Sequence, residues 1–257
     1  MRKSKERKFI TIFGSVILLL VAVQYVVLSI IAVRNYVKML YQQEDVRLLS
    51  VAAEPDAETC TLYRDKTWLE SRFQLTKADS ISLSVNLKDS VLQLELKGVV
   101  LKSSKLIDFQ IDELFRRLNI GAYHHYFGEP ARGTSLLSTI ARSPLVVKKA
   151  PRDSVEYANQ QHIIATTRQE IVHWMLTLDN QIVLKIEGVD TDARSEWLQS
   201  KQFWWKQDLK QAKTDLQKTI RFKQPDYRPS ISLILNEADA KAIFRALPDQ
   251  PQVCVRL

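Results

Sequence analysis

Glycine is scarce in this chain, at 6 of 257 residues. That scarcity excludes Gly-rich phosphate cradles, a Gly-rich linker and a small barrel dense in tight turns. Cysteine is limited to Cys60 and Cys254, which lie far apart and form no Cys-x-x-Cys pair. No His-Glu-x-x-His, Gly-x-Ser-x-Gly, Ser-x-x-Lys or P-loop sequence occurs. Zinc hydrolysis, serine-nucleophile catalysis and P-loop chemistry therefore have no foothold in the motifs. The four histidines are His124, His125, His162 and His173. His124 and His125 are adjacent, so they diverge on a helix or a strand and do not make a metal pair. The sequence marks no catalytic residue, no cofactor-binding residue and no metal ligand, and it implies no cofactor.

Concentrated positive charge is also missing outside the first eight residues. Arg2, Lys3, Lys5, Arg7 and Lys8 stand there against Glu6 and supply about half of the net charge of +8. The remainder is spread thinly, which excludes the basic stripe of a nucleic-acid binder.

What is present is one long apolar run. Residues 9–33 read FITIFGSVILLLVAVQYVVLSIIAV, without a single charge. About 20 apolar residues cross the hydrocarbon of a bilayer, and a helix satisfies the backbone and tolerates Thr11, Ser15, Gln24 and Ser29. The run is too long for a signal-peptide core, and Arg34-Asn35-Tyr36-Val37-Lys38 follows it instead of a small-residue cleavage site. The expectation is an uncleaved single-pass anchor in the inner (cytoplasmic) membrane of a bacterial cell. Basic residues before the span outweigh Arg34 and Lys38 after it, so the N-terminus is expected in the cytoplasm and the rest in the periplasm or extracytoplasmic space. The predicted order is a basic tail (1–8), a transmembrane helix (9–33), a membrane-proximal helix and linker (34–59) and an extracytoplasmic α+β domain (60–257).

Val37, Leu40, Glu44, Leu48 and Val51 recur at helical spacing in 34–53. This stretch either pairs with a second copy as a homodimer stalk or stiffens the exit from the membrane. Glu54-Pro55-Asp56 should end it. Cys60 and Cys254 are either bridged in an oxidising compartment or are two buried thiols.

The domain reads as rich in β-hairpins. Ile81, Leu83, Val85 and Leu87 alternate, Lys88-Asp89-Ser90 turns, and Leu92, Leu94 and Leu96 alternate back, which predicts a half-buried hairpin. A second hairpin is predicted over 170–189, turning at Asp179-Asn180. LQLELKGV (92–99) aligns without gaps with IVLKIEGV (182–189), which raises an internal duplication. A helix is predicted over 108–119, loops over 120–155, and a long amphipathic helix over 193–221. The stripe of that helix is Leu198, Trp205, Leu209, Ala212, Leu216 and Ile220. Trp197 and Trp204 flank the stripe; they either cap a core edge or form a partner contact. The end reads strand, helix capped by Asn236, strand.

Two segments carry a resemblance. ISLSVNLKDSVLQLELKGVVL (81–101) is similar to the opening strands of L,D-transpeptidase domains, and ISLILNEADAKAIFRALPDQPQVCVRL (231–257) resembles the way those domains end. Together they cover about a quarter of the extracytoplasmic residues. That family's nucleophile sits in a Ser-x-Gly-Cys-x-Arg type motif, and no Gly-Cys pair exists here. The resemblance thus implies a relative without the catalytic motif, and it transfers no site residue. The expected function is that of a non-enzymatic envelope scaffold or assembly subunit, with the bilayer and envelope proteins as partners. The alternative is an enzyme, or degenerate enzyme, acting on peptidoglycan.

Overall fold

The computed structural model describes residues 2–42, 57–141, 172–189 and 197–257. It is a mixed helix and sheet protein. Helix α1 (Arg2–Gln42) is followed by α2 (Ala57–Leu75), β1 (Ser82–Asn86), β2 (Val91–Leu96), β3 (Val99–Lys105), β4 (Asp108–Ile111), α3 (Glu113–Arg116), α4 (Ile120–Phe127) and β5 (Ala131–Ser138). Then come β6 (His173–Leu178), β7 (Val183–Val189), α5 (Trp197–Ile220), β8 (Ser230–Asn236), α6 (Glu237–Ala246) and β9 (Gln252–Arg256).

The nine strands form one sheet in the order β3-β2-β1-β9-β5-β6-β7-β8-β4. The pairs β1/β9 and β7/β8 are parallel, and the others are antiparallel. The two outermost strands, β3 and β4, are consecutive in the chain, with Leu106 and Ile107 between them. So short a link spans only about 10 Å, and the two ends of the sheet therefore meet. Leu106 N–H donates to the carbonyl of Ser90 at one end and Ile107 N–H to that of Ile234 at the other. Residues 99–111 act as one bent strand shared by two half-sheets. Strand β5 does the same on the opposite side, pairing with β9 through Ala131 and Arg132 and with β6 through the rest of its length. Strands that switch sheets at a bend are the corner device of β-sandwiches.

Inward-pointing Leu83, Val85, Leu92 and Leu94 of one half and Trp174, Leu176, Leu184, Ile186, Ile231 and Leu233 of the other join one core. Phe115, Tyr123, Phe127, Ile243 and Phe244 of the short helices extend it. Trp174 Nε1 donates to the carbonyl of Ala240, tying β6 to α6.

Both strand pairs expected as hairpins are present, as are β8, the Asn236-capped α6 and β9. The half-buried expectation fails for β1, because α2 covers its other face: Ser82 and Ser84 are as buried as Leu83 and Val85. Helix α2 was not expected at all, and neither were α4 and β5 in a stretch read as loops. The helix predicted over 108–119 begins as strand, over Asp108–Ile111. Pairing of 108–111 with β8 wins there, and only Glu113–Arg116 stays helical behind the Asp112 cap. The duplication also loses its support, since β2 lies between two antiparallel neighbours and β7 has a parallel one. Helix continues from the apolar run through Gln42, and 43–56, with most of the proposed stalk, lies outside the described residues.

Helix α2 is fixed to the sheet by a buried ion pair. Arg72 Nε donates to Glu95 Oε1 at 3.0 Å, and the Glu95 side chain is 0% exposed. Removing one partner would leave a charge stranded. Arg72→Met should therefore cost about 3 kcal/mol, the low end for a buried pair because Arg72 is partly solvated, and the Arg72→Met/Glu95→Met double variant should recover most of it. Denaturant melts of the full chain would check both; a double variant no more stable than the single one counts against the pair as the tie.

Candidate functional site

Helix α1 packs on the folded domain. Gln24, Leu28, Ala32 and Tyr36 fall on one helical face, and that face lies against the folded domain, with Ala32 fully covered. Gln24 Nε2 donates to the carbonyl of Thr219 in the last turn of α5 at 2.7 Å. Asn35 Nδ2 reaches Gln224 Oε1 at 3.3 Å. Tyr36 then fits between Tyr126 of α4, whose hydroxyl donates to it, and Tyr227, which it meets edge-on with centroids 5.2 Å apart. The Tyr227 hydroxyl donates to Asp112, the N-cap of α3. The opposite face of α1, including Val23, Val26, Val27 and Ile30, is bare. This helix is long and apolar enough to cross a membrane.

Helix α5 crosses the outer face of β6 and β7 and leaves a cleft of about 760 Å³ above the sheet, lined by Thr177, Lys185, Gln207 and Arg228 among others. One end of the cleft is an aromatic nest. His173 is buried with Phe203 and Trp204 around it, at centroid distances of 6.0 and 5.9 Å, and Lys185 Nζ sits 5.6 Å from the Trp204 ring centroid. Burial holds the His173 imidazole below its ordinary range and therefore neutral, although Glu187 across the strand pair opposes this.

The other end holds two carboxylates shifted in opposite directions. Asp215 is buried, and loss of water pushes its carboxyl upward. Asp226 is held below the usual carboxylate range by Lys218, 2.6 Å away. Such opposed shifts are what acid–base pairs show. Here, however, the two groups fasten the return segment after α5, since Asp226 N–H also donates to the Asp215 carboxylate. That segment carries Tyr227 to α1.

Of the two tryptophans considered from sequence, Trp204 is the one whose side chain is described. Trp204 belongs to the nest at the core edge. Trp197 opens α5, and its side chain lies outside the described residues. Among the described residues the exposed tryptophan is Trp205, at 67%, and with it the stripe positions Leu209, at 55%, Leu216 and Ile220, at 60%, point outward. The buried face of α5 is instead Trp204, Asp215 and Thr219. Sequence periodicity found the stripe but could not tell a core from an open surface. A second outward stripe was missed with its helix: Leu62, Leu69 and Phe73 on α2, each more than 60% exposed. It ends beside the β2–β3 turn, where Gly98, with φ of +82°, comes so close to Thr76 that a Cβ would lie 2.8 Å from Thr76 Cγ2. Val99 and Leu101 just past that turn are exposed as well.

No disulfide joins Cys60 and Cys254. Cys254 in β9 packs under Trp68 and Leu75, while Cys60 is two turns of α2 before Trp68, about 12 Å along the axis and beyond bridging reach. Among the described residues no cluster of His, Cys, Asp and Glu could hold a metal ion. His124 lies 3.9 Å from Glu70, His125 beside Tyr126, and His162 and Asp190 outside the described residues.

No family model matches the chain, and no curated protein and no solved structure matches it either.

Two measurements test this geometry. Burial pushes the Cys254 thiol up to about 12, so maleimide at pH 8 should modify Cys60 and spare Cys254 until the chain unfolds; equal labelling of the native protein would contradict the packing. Because Asp226 has a depressed folded value, the stability it contributes is fully present above about pH 4, where the unfolded side chain titrates, and is lost as pH falls through the lower folded value. Lys218→Met should remove that acid limb from a plot of Tm against pH; an unchanged limb means that the Lys218–Asp226 pair does not hold the return segment.

Proposed function

We propose that this chain is a single-pass membrane-anchored envelope protein that works as a non-enzymatic assembly or scaffold subunit in a cell-wall, division or secretion complex. In this reading α1 spans the inner membrane with its N-terminus in the cytoplasm, as the basic residues before the run favour. The folded domain then stands on the extracytoplasmic side.

The observation that carries the reading is the outward apolar stripe of α2, Leu62, Leu69 and Phe73, leading to Val99 and Leu101. A folded domain that keeps such apolar residues bare along one helix has a protein to set them against. The helix beneath is fixed by Arg72 to Glu95 and by Arg256 Nη2 to Asp65 at 2.5 Å, so the strip is pre-organised, which lowers the cost of association. Because α1 is docked along the domain, the strip is also presented at a set orientation to the membrane. A scaffold needs that property, and a free enzyme domain on a flexible tether does not have it.

The resemblance to L,D-transpeptidase domains remains compatible as kinship without activity. A cysteine sealed under Trp68 and Leu75 with a raised pKa is a poor nucleophile.

Crosslinking in native membranes, then purification in mild detergent, should bring down a stoichiometric partner. Leu69→Glu with Phe73→Glu should reduce its recovery at least about tenfold while leaving the melting temperature nearly unchanged, since surface positions rarely move stability. A protein that purifies alone, or one that turns over peptidoglycan fragments, would overturn the scaffold reading.

A further inference from the structure

The outward stripe of α5 has a different setting from that of α2. It runs from Trp205 through Leu209, Leu216 and Ile220 to Phe222, which is 80% exposed. Lys206, Lys210 and Lys213 lie along one side of it and are exposed. Its last turn touches α1.

We propose that this stripe is a second membrane-contact element, lying in the headgroup–acyl boundary of an anionic leaflet beside α1. The inference rests on the reading of α1 as a membrane span. At about 1.5 Å per residue, about 30 Å of hydrocarbon counted from Phe9 ends near Leu28. Gln24 then sits about 6 Å inside the boundary, and an interfacial amphipathic helix seats about 5–10 Å deep. Thr219 is bonded to Gln24 at 2.7 Å, so the end of α5 shares that depth.

The polar chemistry fits the same place. Gln24 is the single side-chain amide in the run 9–33, and it donates to the Thr219 carbonyl beside the Phe222 N–H, filling the second acceptor position of that oxygen. Asp215 and Thr219 face inward and are buried, and the outward side of the final turns presents Leu216 and Ile220 with Lys213 and Gln217 beside them. The flanking lysines have stems long enough to lie along the apolar surface and hold their ammonium groups among phosphates. Counting Lys201 and Lys218, α5 carries five lysines against Asp208 and Asp215, a balance that complements an anionic leaflet. Trp205 adds the residue type that collects at membrane–water interfaces. The bare face of α1 at Val23, Val26, Val27 and Ile30, away from the domain, is apolar throughout, as lipid around α1 requires.

The test uses the full chain in a Cys60→Ser background, reconstituted into phosphatidylcholine–phosphatidylglycerol vesicles. Single cysteines are introduced as Leu209→Cys, Leu216→Cys or Ile220→Cys on the stripe, Gln211→Cys on another exposed side, and Leu20→Cys as the reporter of the anchor. Each carries an environment-sensitive fluorophore and is read with doxyl-labelled lipid and with aqueous iodide. Stripe labels should be quenched by doxyl lipid at least about twofold more than the Gln211 label. The triple change Lys206→Glu, Lys210→Glu and Lys213→Glu should lower that quenching while the Leu20 label stays unchanged. Iodide quenching of the stripe labels, with Leu20 in lipid, would overturn the proposal alone. Protection from both quenchers would also overturn it and would assign the stripe to a protein partner. A Leu20 label outside lipid would remove the anchor reading and this proposal with it.

Discussion

The fold depends on one bend. Strand 99–111 runs along β2, turns at Leu106 and Ile107, and continues along β8, so that the two free ends of a nine-stranded sheet become one shared strand. Without it each half-sheet would present an unpaired edge, and the leucines of β1 and β2 would not face Trp174 and Ile231 across a common core. A closed arrangement has fewer edges to protect. It also fixes where everything else goes. Helices α2 and α4 lie against the half built around β9, while α6 and α5 lie on β7, β8 and β6. Asp112, the first residue past the bent strand, caps α3 and receives the Tyr227 hydroxyl. The closing strand thus leads directly to the cluster that holds α1.

Much of the local structure was legible because it is set by neighbours in sequence. Strict alternation around short turns gave β1–β2 and β6–β7, and Asn236 before an apolar-periodic run gave α6 to the residue. What was not legible depends on distant partners. Residues 108–111 lead into the helical spacing of Ile111, Leu114, Phe115 and Leu118, but β8 offers them a ladder. Ser82 and Ser84 look like a solvent face, but α2 lies over them. The α2 sequence itself mixes Leu62, Trp68, Leu69, Phe73 and Leu75 on more than one face, so no single stripe announces it; two of its faces are in use, one against the sheet and one bare.

The candidate surfaces were legible in part. The α5 stripe was found from its period, which left open what it faces. A hydrophobic stripe reports only that some apolar environment exists, whether core, partner or lipid. The tie-breaker came from the residues between the stripe positions. Trp204, Asp215 and Thr219 make a poor stripe by composition, yet they pack on the domain because each finds a particular partner: Lys185 and His173 for Trp204, Asp226 for Asp215, Gln24 for the Thr219 carbonyl. Specific polar satisfaction outranks generic apolar area when both faces of a helix compete for one sheet, because an unpaired buried polar group costs more than an exposed leucine loses.

Two bare apolar strips on one domain would be a liability if both faced water, and their chemistry separates them. The α2 strip is interrupted by the Lys66–Glu70 pair at i,i+4 and sits over a helix fastened by buried and half-buried ion pairs. Mixed charge within an apolar strip suits a protein surface that must discriminate, since opposite charges set register and exclude wrong partners. The α5 strip has lysines along its side and ends at α1, a one-signed pattern that suits a surface without register, such as a leaflet. With lipid on one strip and protein on the other, as proposed, the domain would be held at three places, the α1 seam, the α5 contact and the partner. A domain held so, with α1 as its span, would have its rotation about α1 fixed, and fixed rotation would let it define the geometry of an assembly.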